Sequence, residues 1–150
     1  MSATVPQLVF RDAVPDEAPQ LARMNAQLIR DEGHRNRMTI ERLTERMAGW
    51  LHGEYRAVIF SLDGADLGYA LYRRDREWVY IRQFWVDPSG RRRGIGRTAM
   101  DWLIEHRWAD APRLRLEVLA GNQRAMAFWR AMGFTDYCLT LERPLHPPQG

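Results

Sequence analysis

The segment Arg91-Arg92-Arg93-Gly94-Ile95-Gly96-Arg97 combines residue types and a spacing suited to holding an anion. Glycine lets backbone approach a ligand closely. Where a helix begins, the first N–H groups lack intrahelical acceptors and, with the positive end of the helix dipole, face whatever lies in front of them. Guanidinium groups add charge-assisted hydrogen bonds to phosphate oxygens. No Gly-Lys-Ser/Thr follows, which excludes a P-loop, and the third glycine of a dinucleotide fingerprint is missing, so ATP and NAD are poor ligands. A second concentration of titratable groups is Arg30-Asp31-Glu32-Gly33-His34-Arg35-Asn36. There Asp31 and Glu32 can draw in a cationic amine, and His34 has an unperturbed pKa of about 6.5. Third, Arg82 and Gln83 interrupt an otherwise apolar strand, where polar burial without partners is costly. Simple alternation puts Arg82 on one face with Tyr80 and Phe84, and Gln83 on the other with Ile81 and Trp85, so either can line a cleft. A solvated basic turn, a capped helix end and a half-exposed sheet face stay open as plainer readings of these three segments. His52, His106 and His146 show no metal-ligand spacing, and Cys138 reads as an inert core thiol.

These residues need elements to position them. Leu8 to Arg11 has extended character, and Pro15, Asp16 and Glu17 open a helical pattern through Leu21, Met24, Leu28 and Ile29 that Gly33 ends. Thr39 caps a second helix carrying Leu43, Met47, Trp50 and Leu51, closed near Gly53. Tyr55 to Leu62 and Leu67 to Tyr72 are strands joined by the hairpin signal Asp63-Gly64. After a turn at Arg73 to Arg76, Val79 to Val86 is a third strand and Asp87 to Gly90 a further turn. Ile95 to Trp108 is an amphipathic helix with Ile95, Ala99, Trp102, Leu103 and His106 on one side. Leu114 to Leu119 reads as a strand, Gln123 to Met132 as a helix stopped by Gly133, and Phe134 to Leu141 as a final strand. Meandering strands followed by crossover helices predict an α/β architecture, a mixed sheet with helices on both faces.

Composition bounds the rest. A chain of 150 residues with 45% hydrophobic, 11% aromatic and 27% charged residues has globular proportions, which excludes disorder, collagen and coiled coil. We expect one domain over residues 1–145, with 146–150 as a disordered Pro-rich tail. A single Cys rules out an intramolecular disulfide and suits a reducing compartment, and no basic-then-apolar leader or membrane-length apolar run occurs. The expectation is a cytoplasmic protein with no membrane partner. All 22 basic residues are Arg, against 19 acidic residues for a net charge of +3. That mixed surface is weak evidence for nucleic acid.

The loop between strand and helix resembles the acetyl-CoA pyrophosphate loop, R/Q-x-x-G-x-G/A, of the GNAT N-acetyltransferase superfamily, with Arg91, Gly94 and Gly96 at the motif positions. Downstream, Asn122, Ala125, Phe128, Gly133 and Phe134 fall at the N-x-x-A-x-x-F-x-x-x-x-G-F spacing typical of that superfamily's last helix and turn. The order of elements from Leu8 to Leu141 is similar as well. The resemblance implies the GNAT fold, with mainly antiparallel N-terminal strands and a splayed parallel pair, Val79–Val86 and Leu114–Leu119, opening around acetyl-CoA. It implies that the pantetheine arm pairs with backbone at Phe84, Trp85 and Val86. Main-chain N–H groups of Arg92, Arg93, Gly94, Ile95, Gly96 and Arg97 would hold the diphosphate, with Arg91 at the head of the loop. Asn122 would bond the pantetheine, and Phe128 and Trp129 would lie near its thiol end.

Acetyl transfer to an amine needs a neutral amine, stabilisation of the developing oxyanion and an outlet for the thiolate. By resemblance to ribosomal-protein N-terminal acetyltransferases, Glu117 is the candidate base. Many GNAT enzymes place a Tyr directly after the Phe of the last helix to protonate the thiolate. Here that residue is Trp129, whose indole can donate a hydrogen bond but no proton, so Tyr137 or Tyr80 is the candidate for that role. Asp31, Glu32, His34 and Arg82 are the candidate acceptor-binding residues. The expected activity is an acetyl-CoA-dependent N-acetyltransferase acting on a primary amine of a small molecule or peptide by direct attack in a ternary complex, with a homodimer expected only by analogy. Two alternatives stay open: a non-catalytic acyl-CoA-binding domain, motivated by Trp129, and a nucleic-acid-binding module using Arg91 to Arg97.

Overall fold

The computed structural model describes residues 7–33, 35–91 and 93–146. His34, Arg92 and the tail beyond His146 lie outside the described residues. The chain divides after Leu119 into two compact units.

The first unit is a five-stranded sheet in the order β1-β2-β3-β4-β5, formed by β1 (Val9–Asp12), β2 (Tyr55–Leu62), β3 (Ala65–Arg74), β4 (Val79–Val86) and β5 (Leu114–Leu116). The first four strands are antiparallel neighbours, and β5 runs parallel to β4. This is the expected mixed sheet. The hairpin turn sits at Asp63-Gly64, both with positive φ (52° and 81°), as a two-residue turn matched to strand twist requires. A 3-10 turn at Pro15–Glu17 leads into α1 (Ala18–Glu32), which ends at Gly33. The second helix, α2 (Ile40–His52), starts where the Thr39 hydroxyl accepts a hydrogen bond from the Arg42 N–H at 3.2 Å.

These two helices cover one face of the sheet. Leu21, Met24, Leu28, Met47 and Leu51 pack on Ala57, Ile59, Tyr69, Leu71 and Trp85. The other face receives α3 (Ile95–His106), through Ile95 and Ala99 against Phe60 and Leu67, with Phe84 and Val86 beside them. Helix α3 is shorter than expected, and His106 is exposed rather than part of its buried side.

One ionic cluster ties the sheet edge to α1. Arg11 donates to Asp66 Oδ1 (2.8 Å) and Oδ2 (2.9 Å) and to Glu17 Oε2 (2.8 Å), while Ser61 and Gln20 also donate to Asp66. The Arg11 hydrogen bond, chiefly, holds the Asp66 carboxyl below its ordinary 3.8. A depressed carboxyl contributes stability that is present above the unfolded value and is lost as pH falls through the folded one. Asp66→Asn is therefore expected to cost about 1–2 kcal/mol at pH 7, given the partial exposure of Arg11. In thermal unfolding the gap from the parent protein should close as pH falls below 3.8; a gap independent of pH would remove charge from the explanation.

The second unit contains α4 (Gln123–Ala131), followed by a turn at Gly133 with φ 95°. The expected final strand over Phe134 to Leu141 is not formed. An alternating pattern marks a strand face but supplies no ladder partner, and Tyr137, Leu139 and Leu141 are exposed. Cys138, expected as a core thiol, is exposed for the same reason.

Candidate active site at the β4–β5 opening

Strands β4 and β5 pair over only three positions, Val79 with Leu114, Tyr80 with Arg115 and Ile81 with Leu116. The expected strand to Leu119 stops there because β4 changes course. Its register against β3 slips between Ile81 and Gln83, making Arg82 the extra residue of a bulge. Beyond the bulge β4 stays paired with β3 as far as Val86, opposite Gly68, while residues 117–119 leave the sheet. Among the described residues, no strand lies beside the outer edge of residues 82–86.

Glu117 stands at the apex of the opening. The Tyr80 hydroxyl donates to Glu117 Oε1 at 2.8 Å. Burial, and then this bond, push the Tyr80 phenol up to about 12. Its position follows from the parallel register, which sets Tyr80 beside Arg115, two residues before Glu117. A phenol so placed orients the carboxylate, and a proton held this tightly is poorly suited to transfer to a leaving thiolate. Tyr137, the other candidate, belongs to the second unit, where it is three-quarters exposed.

The bulge also corrects the expected alternation. Arg82 reaches the α1–α2 face, where its Nη1 donates to the Tyr55 hydroxyl (3.3 Å) and its guanidinium lies 4.7 Å from the Trp50 ring centroid. Tyr80, Gln83 and Trp85 lie on that same face: Tyr80 and Trp85 belong to its packing and Gln83 accepts from the buried Tyr69 hydroxyl at 2.7 Å. Phe84, expected beside Arg82, instead packs on the α3 side, 5.8 Å from Phe60.

The basic loop is held from behind. Arg91 Nη2 donates to Asp31 Oδ2 at 2.6 Å, Arg91 Nε to the Val86 carbonyl at 3.0 Å, and the Trp85 indole N–H to the same Asp31 oxygen at 3.0 Å. The Asp31 carboxylate thereby ties the end of α1 to β4 and the loop. Trp85 is 4% exposed, so only its main chain borders the opening. Arg91 is half-buried and held by these bonds, whereas Arg93 and Arg97 are exposed. Glu32 is half-buried; burial first, and then the charge of Glu32, push the Tyr69 phenol well above its ordinary value.

Gly94 caps α3 with φ 74° and no side chain fills the cap. Thr98 N–H bonds the Gly94 carbonyl at 2.9 Å, so the N–H groups of Ile95, Gly96 and Arg97 have no intrahelical acceptor. Ile95 is fully buried and anchors this turn. An uncapped turn with exposed Arg93 and Arg97 beside it fits an anionic group such as a diphosphate.

In the second unit Asn122 is the N-cap of α4, its side-chain oxygen accepting from Ala125 N–H at 3.1 Å. The Asn-x-x-Ala spacing is thus accounted for by helix capping. Trp129 is buried, in edge contact with Phe128 (4.8 Å) and Phe134 (5.3 Å). Among the described residues no group of three or more His, Cys, Asp or Glu could hold a metal, and no helix is long and apolar enough to cross a membrane.

The chain resembles known proteins. It is 33% identical over 76 residues to the peptidyl-lysine N-acetyltransferase YiaC of Escherichia coli K12, a match covering 51% of this chain and 47% of that protein. It therefore spans about half the length of that relative. A possible acetyltransferase from Clostridium difficile 630 superposes with a TM-score of 0.75 at 20% identity, over 93% of this chain and 99% of the other. The aminoglycoside N-acetyltransferase AAC(6')-Iy in complex with CoA superposes at 0.72 with 14% identity, over 97% and 100%. At those identities the superpositions speak for the fold. The model of the acetyltransferase (GNAT) family matches residues 22–134, and the chain belongs to that family.

Proposed function

We propose that this protein is an acetyl-CoA-dependent N-acetyltransferase that acts in the cytoplasm on a primary amine by direct attack in a ternary complex. The observation that carries the proposal is the Tyr80–Glu117 pair at the apex of the β4–β5 opening. Acetyl-CoA supplies the activated acyl group. The free edge of residues 82–86 would take its pantetheine arm, and the N–H groups of Ile95, Gly96 and Arg97 its diphosphate. With Oε1 fixed by Tyr80, Glu117 keeps Oε2 to receive the proton of the attacking amine. Main-chain N–H groups at the bulge, fixed before the substrate arrives, suit a developing oxyanion. Tyr80 keeps its proton throughout, so the thiolate draws its own from solvent.

Calorimetric titration with acetyl-CoA and with CoA, followed by a screen of amine acceptors, tests this reading; absence of binding to either would overturn it. Gly94→Val should weaken acetyl-CoA binding at least ~10-fold while leaving the fold intact. No atom lies within 4 Å of the new Cβ, but a β-branched residue at φ 74° is strained by roughly 1–2 kcal/mol. The turn relieves that strain by moving the N–H groups. Unchanged affinity would separate the loop from the cofactor.

A further inference from the structure

Next to the Tyr80–Glu117 pair, and on the same face of the sheet, three guanidinium groups crowd around three aromatic rings. Arg46 lies 4.5 Å and Arg82 4.7 Å from the Trp50 centroid; Arg73 lies 5.4 Å from that of Tyr80 and 6.0 Å from that of Tyr55. The sheet register produces this row, since Tyr55, Arg73 and Tyr80 are cross-strand partners on β2, β3 and β4. Among the described residues no carboxylate comes within ion-pair distance of any of the three. Their polar partners are neutral: Arg46 Nη2 donates to Asn25 Oδ1 (3.1 Å) and Arg82 Nη1 to the Tyr55 hydroxyl (3.3 Å). Arg46 Nε and Arg73 Nε are buried with no acceptor.

Arg46 and Arg73 are half-buried and Arg82 is exposed; three like charges this close repel one another, and an anion placed among them relieves that repulsion. The rings attract each cation singly but do not cancel repulsion between them. Elsewhere in the same unit the chain pairs its buried-side arginines with carboxylates, as in Arg11 with Asp66 and Arg91 with Asp31. The missing anion is therefore best supplied from outside.

We infer that the acceptor carries a carboxylate as well as its amine, an amino acid or near relative, whose carboxylate is held by Arg82 with Arg46 while its amine meets Glu117. Arginine suits this because its planar fork can grip a carboxylate through two parallel hydrogen bonds. The inference rests on the reading of Glu117 as the base for an amine, and narrows the substrate class of that site.

The test uses the twenty L-amino acids, each matched with its carboxamide, against the whole chain in two assays: calorimetric binding without acetyl-CoA, and acetyl transfer with it. At least one free acid should be preferred over its amide by ~100-fold or more in kcat/KM, through KM, because an amide leaves the guanidinium groups unpaired. Arg82→Met, at an exposed position, should erase most of that preference, with the amide's own kcat/KM changed far less than the acid's. Arg82→Lys should restore part of it. Amides accepted as well as acids, a preference untouched by Arg82→Met, or acetyl-CoA binding with no acid bound or acetylated would each overturn the inference. Acid binding in the absence of any acetyl-CoA binding would instead keep the carboxylate site and discard the transferase reading.

Discussion

Replacing Glu117 with Gln is expected to lower kcat/KM for acetyl transfer at neutral pH by about 10²–10³-fold, the range for losing a positioned general base. Acetyl-CoA affinity should stay within about twofold, because the side chain stands at the apex of the opening and the cofactor contacts assigned to the chain are main-chain groups of residues 82–86 and 95–97. Gln keeps the shape and can still accept the Tyr80 hydrogen bond, so the geometry survives while the proton acceptor is lost. The deficit should shrink as pH rises, since bulk water then delivers the amine already neutral. Tyr80→Phe should have a smaller effect, about 10-fold, because it frees the carboxylate to rotate but leaves its charge. With Tyr80 at about 12, the hydroxyl remains protonated across the working range, so no alkaline limb of the parent profile below pH 10 belongs to it. A rate unchanged in Glu117→Gln would remove that carboxylate from the chemistry.

The sequence carried the elements more clearly than the contacts between them. Strands 55–62 and 79–86 occur at their expected ends, because runs of β-branched and aromatic residues end there at turn residues with a local mechanism. Thr39, Gly33 and Asp63-Gly64 were legible for the same reason: a cap or a two-residue turn is decided within a few positions. The bulge at Arg82 was not legible, since alternation assumes a regular pleat and one extra residue inverts every assignment after it. That single slip separates Phe84 from Arg82 and puts Tyr80 and Trp85 on one face. The contacts of Asp31 were not legible because its partners, Trp85 and Arg91, lie 54 and 60 residues away. A charged helix end gives no hint of which distant donor will reach it. Glu117 was singled out by family resemblance, while its hydrogen bond to Tyr80 depended on the parallel register. The strand expected over residues 134–141 failed for want of a ladder, which no local pattern guarantees.

The most damaging single substitution should be Gly68→Ala, at a position where close approach leaves no room for a side chain. A Cβ there would lie 2.1 Å from the Trp85 carbonyl oxygen and 2.3 and 2.7 Å from two ring carbons of Phe60. Neither neighbour can yield cheaply. The carbonyl belongs to β4, which is bonded to β3 at this point, opposite Val86. The Phe60 ring is fully buried, with Phe10 and Phe84 at centroid distances of 6.1 and 5.8 Å. Overpacking usually costs 1–3 kcal/mol, and a clash against backbone belongs at or above the top of that range, about 3–5 kcal/mol. Against a typical stability of roughly 5–15 kcal/mol that is a large share. The unfolding midpoint should fall by about 10 °C or more. A second substitution separates the two clashes: Phe60→Leu added to Gly68→Ala removes the ring contacts but not the carbonyl, so it should recover only part of the loss. Survivors should also bind acetyl-CoA more weakly, because the backbone forced outward at Trp85 and Val86 is the free edge on which the pantetheine arm would pair. A midpoint within about 2 °C of the parent would mean that β3 and β4 can separate at Gly68 without cost, and the cleft edge would then be softer than its packing indicates.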